Sequence, residues 1–370
     1  MLTMTIDEIV LACRDLGASD IHIVCGLPVK CRVDGSVRSL NDNVLTHDDC
    51  ELIARSLAGE DYEKIASIGE LDFARSFADD IRTRINVFRQ QGSVSCAIRI
   101  LRGNIPHIED LGLPPAVGKM PSFRSGLILV TGETGSGKST TLAAVIQRIN
   151  ETRDAHIITL EDPIEYVYTP QRCIINQREI GKDTNSYTDG LRAILREDPD
   201  IILIGEMRDL DTIEAALTAA ETGHLVFATL HTNSAAESID RIVDVFPSGR
   251  QQQVRLQLST TLRMVLSQQL LPLKEKGRAA ACEVMVVNSA IKNLISEGNT
   301  HQIDSFITMG AKDGSITMDN AIKAMLEAHR ITLETAESFA RNKDALTRGG
   351  TDSHMKPNEG AYAQTRRPMI

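Results

Sequence analysis

Between residues 132 and 139 the chain reads Gly132-Glu133-Thr134-Gly135-Ser136-Gly137-Lys138-Ser139, a complete GxxxxGK[ST] pattern. No other stretch restricts the fold so sharply. Its glycines let successive backbone N–H groups turn inward around an anion. The pattern has meaning only where a strand enters it and a helix leaves it. Both are in place: the apolar run LILVT (127–131) precedes it, and the helical stretch Thr140–Ile149 follows. The helix offers the positive end of its dipole to the same anion. Residues Gly132 to Thr140 are therefore expected to bind ATP, with Lys138 bridging the β- and γ-phosphates and Ser139 holding Mg²⁺. A chance glycine-rich turn rarely combines these residues in this context.

The surrounding pattern repeats the strand signal. HIITL (156–160), IILI (201–204) and LVFAT (225–229) are short apolar runs separated by helical stretches. Continuous apolar strands between helices imply a parallel sheet covered on both faces. After about residue 250 the chain reads as mainly helical. Residues 1–101 read differently, as a small α+β domain. Thr5 and Glu8 form a capping box. Ile21/Ile23 and Val29/Cys31/Val33 alternate as in half-buried strands, and Asp34-Gly35 signals a hairpin. A helix is expected near Asp48–Leu57, with strands near Ile81–Arg89 and Ser93–Leu101 joined by Gln90-Gln91-Gly92. Residues 102–124, with Pro106, Pro114 and Pro115, read as a linker. The ATPase domain then runs over 125–346, and 347–370 reads as a disordered tail.

Hydrolysis needs a group that orients or deprotonates water. The foremost candidate is Glu206, just past the apolar run 201–204, because ligands of open α/β sheets bind beyond the carboxyl ends of strands. Gly205 stands where most P-loop ATPases carry an aspartate. A second acidic stretch, Glu161-Asp162-Pro163-Ile164-Glu165, follows another apolar run. Glu161 and Asp162 are candidates for magnesium, and Glu165 for catalysis. His231 ends the strand LVFAT and is a candidate sensor of the γ-phosphate, although a lone histidine is more often structural. Ser234 and Glu237 read as the next helix cap. Arginines completing such sites often come from a neighbouring subunit. Arg82, Arg84 and Arg99 are candidates for that role, with solvation as the default for each. Arg192, Arg196 and Arg208 lie near the acidic motifs.

Net charge is −10, which argues against a protein that coats nucleic acid, since phosphate neutralisation supplies most of that affinity. The seven cysteines form no CxxC pair, so no structural metal is expected, and their scatter suits reduced thiols. The N-terminus lacks a basic n-region and a cleavage site. No apolar run approaches the ~20 residues that span a bilayer.

Together, the P-loop, LEDPIEY (160–166), LREDPDIILIGEMRD (195–209) and TGHLVFATLHTNSA (222–235) resemble the Walker A, Asp box, Walker B and His box of the secretion ATPase family. SDIHI (19–23) with RVDG (32–35) is similar to its N-terminal PAS-like domain. The stretch Ala290-Ile291-Lys292-Asn293-Leu294-Ile295-Ser296-Glu297 resembles the AIRNLIRE signature of the pilus retraction branch, with Lys292 and Ser296 replacing arginines. Read without the resemblance, Ile291, Leu294 and Ile295 form one apolar helix face and Gly298 a C-cap. The resemblance implies an α/β fold: a RecA-like P-loop motor domain, a smaller N-terminal α+β (PAS-like) domain and a helical C-terminal part. It further implies a cytoplasmic homo-hexamer that couples ATP hydrolysis to pilus retraction through an inner-membrane platform protein. Other readings are an extension or type II secretion ATPase of the same fold, or a RecA-like nucleic-acid motor.

Overall fold

The computed structural model describes residues 4–33, 35–78, 81–101, 103–343 and 346. The expected disordered tail, 347–370, lies outside them. The chain divides into two compact units, 1–104 with 163–167, and 105–162 with 168–370.

The first unit holds α1 (Ile6–Asp15), β1 (Ala18–Ile23), β2 (Pro28–Val33), β3 (Ser36–Val44), α2 (His47–Ala58), α3 (Tyr62–Ile68), β4 (Glu70–Phe77), β5 (Ile81–Gln90) and β6 (Ser93–Ile100). Its six strands form an antiparallel sheet in the order β3-β2-β1-β6-β5-β4. Alternation drives the burial: Ile81, Thr83, Ile85 and Val87 of β5 face the core while the residues between them do not. Ile6, Ile9, Val10 and Cys13 of α1 pack with Cys50, Ile53, Ala54 and Leu57 of α2 in the same core. Thr5 and Glu8 make the reciprocal cap, at 2.7 and 3.3 Å. Strand β4 was not marked by the sequence pattern; its half-exposed residues blur the alternation.

The second unit holds β7 (Gly126–Thr131), α4 (Lys138–Thr152), β8 (His156–Glu161), β9 (Ile174–Glu179), α5 (Tyr187–Ile194), β10 (Ile201–Ile204), α6 (Leu210–Glu221), β11 (Leu225–Leu230), α7 (Ala235–Asp244) and α8 (Ser248–Thr261). It continues with β12 (Leu262–Pro272), β13 (Arg278–Val286), α9 (Ser289–Glu297), α10 (Ile303–Met309), α11 (Met318–Glu327) and α12 (Leu333–Phe339). The sheet order is β13-β12-β7-β11-β10-β8-β9. All neighbours run parallel except β12 and β13. Every residue of β7, β10 and β11 is buried, as continuous apolar runs require. The chain beyond Val286 is helical, but β12 and β13 first extend the sheet. Sequence periodicity missed them because α8 ends at Thr261 and β12 begins at Leu262, with no glycine or proline between.

Candidate functional site

The parallel order brings the ends of β7, β11, β10 and β8 to one edge of the second unit. Thr131 pairs with Leu230, and Ile204 pairs with both Ala228 and Leu160. The segments that follow these residues are the phosphate loop, the His231 loop, the Glu206 loop and the Glu161-Asp162 turn. All four are thus gathered by strand pairing.

The phosphate loop takes shapes open mainly to glycine. Gly132, Gly135 and Gly137 have φ of 136°, 82° and 96°. A Cβ at position 132 would lie 2.3 Å from the carbonyl oxygen of Gln268 and 2.7 Å from Ser136 Oγ. The loop is therefore pressed against β12, whose Ser267 accepts a hydrogen bond from Thr131 at 2.8 Å. Lys138 Nζ donates to the carbonyls of Gly132 at 2.6 Å and Glu133 at 3.0 Å. Gly137 caps α4 without any side-chain bond, so the leading N–H groups of the helix remain to serve a ligand. Ser136 Oγ is buried without a hydrogen-bond partner. An orphan donor inside a glycine-only cradle at a helix N-terminus fits a polyphosphate. Ser139 is exposed at the first turn of α4, where its hydroxyl could hold a metal.

Glu206 lies two residues past β10. Gly205 N–H donates to Leu160 O at 2.7 Å and Met207 N–H to Thr229 O at 3.1 Å. The Thr229 hydroxyl also donates to Gly205 O. These bonds clamp the loop between β8 and β11. The Glu206 carboxylate, one-fifth exposed, meets Arg208 at 2.7 Å and His231 Nε2 at 3.3 Å. Partial burial pushes its pKa up, but the Arg208 guanidinium and the His231 ring outweigh this and hold it below the usual carboxylate range. Glu206 is therefore ionised at neutral pH, as a base must be. His231 and Arg208 expose 44% and 65% of their side chains, so both are free enough to exchange this partner for another.

Glu161 is bound inward: Thr159 Oγ1 donates to it at 2.6 Å and Gln177 Nε2 at 3.2 Å. Asp162, the next residue, is exposed. Glu165 belongs with the first unit, in the segment Pro163–Val167, where Ile164 O accepts from Arg82 Nε at 3.2 Å. The other two candidates, Arg84 and Arg99, are also engaged. Arg84 makes a bidentate pair with Asp72, and Arg99 meets Asp20 at 3.0 Å. Arg192 and Arg196 are exposed.

One buried carboxylate escaped sequence reasoning. Glu283 of β13 has 1% side-chain exposure and accepts from Ala235 N–H at 2.8 Å and from Arg341 at 2.7 Å. Arg341 also donates to Asn233 O, two residues past His231. Burial pushes the Glu283 carboxyl above its ordinary pKa, against the pull of Arg341. Arg341→Met should therefore cost about 2 kcal/mol or more at neutral pH, below the full value of a broken buried pair because Arg341 is partly solvated. The sign follows from linkage: the stability tied to Glu283 is complete below the ordinary carboxylate pKa and is lost as pH rises through the elevated one. Thermal unfolding from acid to neutral pH should show a steeper decline for Arg341→Met than for the parent. Equal slopes would contradict the pairing.

Helix α9 buries Ile291, Leu294 and Ile295 and ends at Gly298, whose φ is 76°. Ala290 and Lys292 are half-buried and Asn293 is exposed. Ser296 is engaged from α8, where Gln252 Nε2 donates to its carbonyl at 3.1 Å.

Residues 1–337 match the family model described as "Type II/IV secretion system protein". The chain is 46% identical over 318 residues to the uncharacterized protein YggR of Escherichia coli (strain K12), covering 86% of this chain and 97% of that one. It is 43% identical over 339 residues to the type IV pilus retraction ATPase PilT of Pseudomonas aeruginosa, covering 91% and 98%. A crystal structure of the pilus retraction motor PilT with bound ADP superposes with a TM-score of 0.88 at 46% identity, covering 94% of this chain and all of that one.

Proposed function

Because this chain belongs to the type II/IV secretion system protein family, we propose that it hydrolyses ATP to power retraction of type IV pili. The observation that carries the reading is the ionised Glu206, bonded to Arg208 and His231 at the strand edge that also bears the phosphate loop. Likeness to PilT over nearly that protein's whole length directs the activity toward pili.

Bound ATP with Mg²⁺ would supply the scissile phosphoryl group and the divalent charge that neutralises it. The chain's own residues do the rest. The N–H groups of Gly132 to Thr140 and the Ser136 hydroxyl hold phosphate oxygens. Lys138 exchanges its two carbonyl partners for the β- and γ-phosphates. Ser139, Asp162 and Glu161 would hold the metal, Glu161 being fixed by Thr159 and Gln177. Arg208 and His231 turn from Glu206 toward the γ-phosphate, which releases the carboxylate to take a proton from water. Glu165 is the further catalytic candidate in this reading.

The working form in this reading is a homo-hexamer in the cytoplasm, attached to the inner membrane by a platform protein. Arg82, Arg84 and Arg99 are offered to the neighbouring subunit's nucleotide. Arg99, with 65% of its side chain exposed and its guanidinium paired with Asp20, needs the least rearrangement. On α9 the apolar positions Ile291, Leu294 and Ile295 serve the core, which leaves Lys292 and Asn293 as the residues able to act outside it. Deletion of the gene should leave surface pili in place or increased while abolishing twitching, and the Lys138→Ala form should fail to restore it. Loss of pili on deletion would instead indicate an extension motor.

A further inference from the structure

Gly205 poses a question that its backbone does not answer. Its φ is not positive, so glycine is not needed there for conformation. It is needed for space. A Cβ at position 205 would lie 2.8 Å from Tyr187 Oη and 3.1 Å from the carbonyl oxygen of Leu160. Tyr187 opens α5, whose cap Ser186 accepts from Asp189 N–H at 3.1 Å. Its ring packs against the main core of the second unit, while its hydroxyl stands in the volume that a side chain at position 205 would fill. Among the described residues that hydroxyl has no hydrogen-bond partner.

We infer that Tyr187 is a positioning residue of the hydrolytic site, whose hydroxyl donates to the Glu206 carboxylate once Arg208 and His231 turn to the nucleotide. The inference rests on the ATPase reading above and adds a residue to it. Glu206 cannot serve as base while Arg208 occupies it, since a guanidinium lowers its basicity. Released from Arg208, it would lose orientation unless another donor remained. A neutral phenol supplies orientation with a smaller loss of basicity than a cation imposes. Burial, first, and then the charge of Asp162 push the phenol above its ordinary pKa, with Glu206 and Glu161 adding to this and Arg208 opposing it. The hydroxyl therefore keeps its proton at working pH. Arg208 on its own loop and His231 past β11 meet Glu206 directly, while Asp162, Arg208, Glu206 and Glu161 are the charged groups that act on Tyr187 of α5.

Tyr187→Phe tests this directly, because it keeps the ring and removes only the hydroxyl. In the full chain with Mg²⁺ and ATP, kcat should fall about tenfold to a hundredfold, the range of one hydrogen bond to a charged group. The KM for ATP and the melting temperature without nucleotide should stay at parent values. The acid limb of the pH–rate profile should move to higher pH, because removing a donor raises the carboxylate pKa. An unchanged kcat, or a loss matched by a rise in KM and a fall in melting temperature, would overturn the role. A parent protein without ATPase activity would remove the reading it rests on, and the inference with it.

Discussion

Glu206→Gln should bind Mg²⁺ and ATP with near-parent affinity yet hydrolyse it about a thousandfold more slowly or worse. The amide is isosteric, so Arg208 can still reach an oxygen at the place where it now sits 2.7 Å from the carboxylate. What the amide lacks is a lone pair basic enough to take a proton. General-base assistance contributes typically 10²–10⁴-fold, and here the same group also orients the water, which places the loss in the upper part of that range. The clamp on the loop is made by backbone groups of Gly205 and Met207 and by the Thr229 hydroxyl. None involves the Glu206 side chain, so the fold should survive. Fluorescent-nucleotide titration and phosphate release separate the two effects. Turnover within a few-fold of parent would remove Glu206 from the role of base.

Lys138→Ala should act on the other half of the cycle. The ammonium sits over the loop, 2.6 and 3.0 Å from two of its carbonyls. Removing one unit charge about 4 Å from a phosphate charge, at an effective dielectric near 20, forfeits about 4 kcal/mol. That corresponds to roughly a thousandfold in affinity, softened where Mg²⁺ shares the load. The glycine backbone and the Ser136 hydroxyl remain, so residual binding is expected, with hydrolysis abolished. Titration with the same fluorescent nucleotide reads this directly. Affinity within threefold of parent would mean that the lysine serves the loop and not the ligand. The contrast between the two variants, tight and inert against weak and inert, is the signature of a nucleotide-driven motor site.

The four apolar runs were readable as strands because each lies buried on both faces. Observed limits differ from the runs by a residue or so: Gly126–Thr131, His156–Glu161, Ile201–Ile204 and Leu225–Leu230. Caps were readable because their chemistry is local. Thr5 with Glu8, and Ser234 with Glu237, act within four residues. β12 was not readable, since a helix passes into it without punctuation and Ser267 and Gln268 lie buried inside it. Tyr187 carried no motif. Its one trace in the sequence was the small residue at 205, which speaks only once the two are known to touch.

What the chain's sequence determined alone was what is set within a few residues: the phosphate cradle, the strand identities and the helix caps. Hydrogen-bonding partners and side-chain volumes near in sequence suffice for these. Only the tertiary structure decided that β11 lies between β7 and β10, that β12 and β13 extend the sheet beyond β7, and that residues 163–167 belong with the N-terminal unit. It also decided that Arg208 and His231 meet Glu206 and that Tyr187 abuts Gly205. Strand pairing joins residues far apart in sequence. Each such pairing is chosen by the packing of the whole sheet, which no local window records.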